Sequence, residues 1–143
     1  MKISLITLCL LIFGTLSAQE EWGSLNKNEL TLKQIAPIWP GCEAGNSTKR
    51  DACFNQMLVK HVGKNFKYPA NEYQKNIQGE VVVEFIINAD GMVEIKSASG
   101  GNKGLQEAAR KNILLIPKMK PGMFAGKPTA TEYTVPFNFK TGK

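Results

Sequence analysis

One histidine, three cysteines and no run of like charge longer than two leave this 143-residue chain few means of doing chemistry. The lone His61 cannot assemble a zinc ligand set. Cys42 and Cys53 stand too far apart for a C-x-x-C redox motif. No nucleophile elbow is present, so Ser97, Ser99, His61, Glu80 and Glu84 make a hydrolase only on paper. Basic residues do not interleave with aromatics as they do in nucleic-acid binders. No apolar run reaches the ~20 residues that cross a bilayer, and there is neither a repeat nor a low-complexity tract. The expectation is a protein that is not an enzyme, with no catalytic residues, metal, cofactor, nucleic-acid partner or small-molecule substrate.

What is present begins with a leader. Lys2 precedes an apolar stretch from Ile3 to Phe13, and Thr15-Leu16-Ser17-Ala18 supplies small residues before Gln19-Glu20-Glu21. This is the pattern of a secretory signal peptide cleaved near Ala18. Leu8 is too bulky, ahead of Cys9, for a lipoprotein signal. The competing arrangement keeps residues 3–18 as a short membrane anchor. Export makes Cys42 and Cys53 an even pair in an oxidising compartment, and a disulfide is expected. Closing a loop of that length stabilises by roughly 2.5–3 kcal/mol in the chain-entropy account. The net charge of +6 falls by one when Lys2 leaves with the leader. It is scattered, which reads as a solvated basic surface, with attraction to acidic envelope partners as the functional alternative.

The rest divides into an irregular segment, 19–48, and a domain, 49–143. Pro37, Pro40, Gly41 and Gly45 interrupt the segment, while Trp22 and Trp39 suggest that parts of it pack. Phe54, Met57, Leu58, His61, Val62 and Phe66 recur at helical spacing and predict a helix from Lys49 to Phe66. Thr48 and Asp51 resemble its capping box, and Lys67-Tyr68-Pro69 stops it. His61 lies on the apolar stripe and reads as a packed side chain. Glu80–Ile87 alternates as a strand with Val81, Val83, Phe85 and Ile87 on one face. Asn88-Ala89-Asp90-Gly91 is a hairpin turn, and Met92–Ala98 a second strand. Asn102 caps a helix from Lys103 to about Leu115, which Pro117 ends. The last strand, Thr131–Lys140, turns Tyr133, Val135, Phe137 and Phe139 inward. Pro136 in its middle cannot donate to a ladder and marks an edge or a bulge.

These elements predict an α+β two-layer sandwich: a three-stranded antiparallel or mixed sheet with two helices on one face. Val83, Phe85, Ile95, Leu105, Tyr133 and Phe137 are the expected core, and the last strand is an open edge. Tyr68-Pro69, Ile77-Gln78-Gly79-Glu80-Val81-Val82-Val83, Asp90-Gly91, Pro121-Gly122, Gly126-Lys127-Pro128 and Val135-Pro136-Phe137-Asn138-Phe139 fall in an order that resembles the TonB C-terminal domain family over residues 66–140. Pro40-Gly41-Cys42 and Cys53-Phe54 are similar to an extension found in some members. The resemblance implies a periplasmic module that grips an extended segment of an outer-membrane transporter, or another envelope protein, by β-strand addition. The edge would be Thr131, Glu132, Tyr133, Thr134, Val135 and Pro136, a strand that a second copy of the chain could also use. Met119 departs from the family, which often has an aromatic there. The leader departs too, since a full energy transducer has an uncleaved transmembrane helix and a long Pro-rich spacer.

Overall fold

Every second residue of β1 (Gly79–Ile87) is apolar, and Val81, Val83, Phe85 and Ile87 are all fully buried. A computed structural model of the chain describes residues 34–143. The expected leader, 1–18, and Trp22 lie outside the described residues. β1 is the centre of a three-stranded sheet in the order β2-β1-β5, with β2 (Val93–Ser99) and β5 (Thr131–Phe139) both antiparallel to it. The fold is the expected α+β sandwich, its sheet wholly antiparallel.

The pairing of β1 with β2 shifts register between Glu84 and Phe85, so Phe85 faces Ile95 while Glu84 faces Ser97. The extra residue, Lys96, makes a β-bulge. It lets Ile95 and Ala98, three apart, both pack against the core. At the β1–β2 turn, Asn88 Oδ1 accepts from the N–H groups of Asp90 and Met92, each at 3.0 Å. Gly91 has φ +82°, and a β-carbon there would overlap the Met119 carbonyl. Met119 N–H donates to Gly91 O at 3.0 Å, so the turn also anchors the buried Met119.

Two helices cover the apolar face. In α1 (Ser47–Lys64) Phe54 is buried, with Met57, Leu58 and Val62 packed around the core. The expected Thr48–Asp51 box does not form. Asn46 caps instead, its Oδ1 accepting from Lys49 N–H at 3.0 Å. α1 also ends before Phe66, because Asn65 turns its amide onto the His61 carbonyl at 2.9 Å. α3 (Lys103–Leu114) starts at the expected Asn102 cap and buries Leu105, Ala109, Asn112 and Ile113 against β1 and β2. Between them, α2 (Ala70–Gln74) follows Pro69, read from sequence only as a stop. Proline suits a helix start as well as an end. α2 places Glu72 against Gly104, where any β-carbon would strike the carboxylate.

A short hairpin, β3 (Gly122–Phe124) and β4 (Lys127–Thr129), was not foreseen. It turns at Ala125 and Gly126, both at positive φ, as a tight hairpin turn demands. The described part of the 19–48 segment has no regular element before α1 begins at Ser47, but it pairs with this region. Ile35 exchanges both backbone bonds with Met123, at 2.7 and 2.8 Å, and Ile38 does so with Lys120 at 3.0 and 3.3 Å. Pro37 and Trp39 are buried beneath it. The expected disulfide is present, Cys42–Cys53 with a Cα–Cα distance of 5.7 Å, and fastens this segment to α1.

Candidate functional site: the outer edge of β5

β5 pairs with β1 without a register shift along all nine residues, from Thr131 opposite Ile87 to Phe139 opposite Gly79. It has no partner on its other side among the described residues. Inward, Phe137 and Phe139 are buried and Tyr133 and Val135 half-buried; Glu132, Thr134, Pro136 and Asn138 are exposed. Pro136 has no N–H to give, so it is accommodated where its nitrogen faces the open side. Residues two apart direct their backbone groups the same way. Glu132, Thr134 and Asn138 therefore present N–H groups to the open edge.

The six residues expected to form a binding edge all lie on β5, in two environments. Thr131 Oγ1 is buried without a hydrogen-bond partner, close to Gly122. Glu132 bonds Lys96 across the sheet at 2.8 Å, with both side chains about half exposed (54% and 46%). Exposed pairs of this kind contribute little to stability; the bond to Glu132 raises the Lys96 pKa. Tyr133 is held between Phe54, at 4.8 Å between ring centroids, and Phe85, at 5.7 Å. Burial, with a smaller push from the charge of Asp51, raises its hydroxyl to a pKa of about 12.

The other polar residues singled out by sequence stay apart from this edge. His61 Nε2 lies 3.0 Å from the Asn112 carbonyl and its ring packs on Trp39, the environment its helical stripe implied. Ser97 Oγ donates to Glu84 Oε2 at 3.2 Å on the open face of the sheet, whereas His61 belongs to the helical layer. The two do not meet. Among the described residues no group of three His, Cys, Asp or Glu side chains is placed to hold a metal. No helix among them is long and apolar enough to cross a membrane.

Among the hollows that flank the fold, two bear on the site. The larger, about 670 Å³, lies between α3 and residues 65–69 and is lined by no residue of β5. A smaller one, about 180 Å³, adjoins β5 and is lined by Ala36, Asp51, Phe54, Asn55 and Tyr133. Sequence reasoning missed it, because its walls come from three separated segments. The only signal was Asp51 and Asn55, four apart on α1 and hence neighbours on one helix face.

Comparison with known proteins bears on what this edge belongs to. No curated protein matches the chain. Two NMR solution structures of the Helicobacter pylori TonB-CTD are similar to it. One is 22% identical over 68% of this chain and 96% of that one, with a TM-score of 0.46. The other is 23% identical over 63% and 96%, with a TM-score of 0.41. The model of the family described as Gram-negative bacterial TonB protein C-terminal matches residues 64–141, more than half of the chain. That span runs from the end of α1 past the end of β5, and by it the chain belongs to the TonB C-terminal domain family.

Proposed function

We propose that this protein is a periplasmic binding module that captures an extended segment of an outer-membrane transporter, or of another envelope protein, by adding it as a strand to β5. Family membership associates the chain with TonB-dependent transport. The observation that carries the binding mode is the unbroken nine-residue register of β5 with one side unpaired among the described residues. An exposed edge of that length is a liability unless it is blunted or used. The opposite edge, on β2, is blunted by the bulge at Lys96. On β5 Pro136 removes one donor and leaves the stretch before it able to pair.

In this reading residues 1–18 are a cleaved leader, 19–48 an irregular segment that ends packed on the fold, and 49–143 the binding domain. The Cys42–Cys53 bond fastens the segment to α1. The main-chain bonds of an added strand supply affinity, and its alternate side chains supply specificity. A photo-cross-linking residue at Thr134 tests the reading in cells, with one at Leu114 on the far side of α3 as control. Cross-links from position 134 to an outer-membrane protein are expected. Cross-links from position 114 alone would move the binding surface off β5.

A further inference from the structure

The hollow beside β5 adjoins the open edge of the sheet. Its lining comes from α1, from β5 and from Ala36, with nothing from β1 or β2, which sets it at the margin that β5 forms. At about 180 Å³ it is below the ~300–1,000 Å³ of small-molecule pockets. It is the size for one long side chain. We propose that it is a socket for an arginine or lysine of the captured segment, a specificity that rests on strand addition at β5.

The walls fit such a side chain at both ends. Phe54 and Tyr133 offer apolar ring surface for an aliphatic stem, and Asp51 and Asn55 lie at the exposed rim, where a charged head would remain partly hydrated. Asp51 has no ion-pair partner among the described residues. The neighbouring Arg50 makes no ion pair with it; its guanidinium donates to the Gly45 carbonyl at 3.0 Å. The field of Asp51 reaches into the hollow, because it acts on the Tyr133 hydroxyl. An acidic side chain entering there would meet like charge, and a purely apolar one would leave the carboxylate unpaired.

The opposite face of the sheet carries the same sign. Among the described residues, Glu80, Glu84, Glu94 and Glu132 gather there around Lys96. Four of the chain's twelve acidic residues thus gather on one face of a molecule with net charge +6. Such a face attracts a basic segment over distances of about a Debye length, ~8–10 Å at physiological salt. It accelerates encounter, and the hollow supplies the fixed position.

A random decapeptide library displayed on phage, selected in parallel on the full chain, on Asp51→Asn and on Thr134→Pro, tests this. Circular dichroism checks that both variants are folded. On the unaltered chain, arginine or lysine should be enriched at one fixed position by about five-fold, the size of a single partly screened ion pair. That enrichment should vanish on Asp51→Asn, while Thr134→Pro should select nothing above background. Peptides lost on Thr134→Pro but without a basic position would overturn the socket and leave strand addition standing. Peptides retained by Thr134→Pro, or no peptide selected on the unaltered chain, would overturn both.

Discussion

Phe54 and Tyr133 stack with ring centroids 4.8 Å apart and planes 23° from parallel. Through this contact α1 is joined to the edge strand, and the hollow at their rim owes its place to it. The N-terminal half of α1, with its disulfide, therefore stands beside the strand proposed to bind.

Tyr133 gives the arrangement a signature in pH. Its pKa in the folded protein is raised from 10.0 to about 12, by burial first and by Asp51 second. The unfolded chain releases this proton earlier, so stability is fully present below pH 10 and declines as pH rises through 10 toward 12. Ultraviolet titration of tyrosinate should show a late step that disappears in Tyr133→Phe. Asp51→Asn should move that step to lower pH. An unchanged late step in Tyr133→Phe would contradict the placement of this ring, Tyr68 being the other tyrosine raised, by desolvation first.

Phe85 lies at the centre of the core with no exposure. Phe85→Ala should cost ~3–5 kcal/mol, read by urea denaturation. A variant that melts within a degree or two of the unaltered chain would reverse the facing of β1.

At Gly91, alanine is strained twice over: by φ +82° and by overlap with the Met119 carbonyl. The left-handed conformation alone costs about 1–2 kcal/mol, so Gly91→Ala should lose more than that in thermal or chemical unfolding. Gly126, also at positive φ but with open space around it, should tolerate alanine better. Equal losses at the two sites would show that the Met119 contact carries no weight.

For the disulfide, alkylation of unreduced periplasmic protein followed by mass analysis should leave Cys42 and Cys53 unmodified. Reduction should remove roughly 2.5–3 kcal/mol without unfolding the sheet. Two alkylated residues before reduction would contradict the bond.

The elements legible in the sequence were those whose pattern is long and regular. β1 and β5 alternate over nine residues each, and α3 carries both its cap and its apolar stripe. Of the expected core, Val83, Phe85, Leu105 and Phe137 are buried, while Ile95 and Tyr133 pack on its rim. Three-residue strands such as β3 and β4 are too short for any period to register, and Pro128 argued against one of them. The bridges of Ile35 and Ile38 are backbone contacts, which side-chain pattern does not encode. Asn46, not Thr48, caps α1, although Thr48 stands nearer the first apolar residue of the helix.

The site was half legible. Pro136 and the alternation of β5 located the edge, but the acidic face was hidden, since Glu80, Glu84, Glu94 and Glu132 are dispersed along the chain. They gather only when β1 is flanked by its two neighbours.

Capture of an envelope partner by Thr134→Pro tests the central claim most directly. Thr134 is two residues from Pro136, so its N–H points to the side where a proline is already accommodated. The variant should keep its helices and its β1 pairing by circular dichroism. Strand addition predicts that the folded variant retains little of an outer-membrane protein that the unaltered chain pulls from envelope extracts; undiminished capture would contradict it.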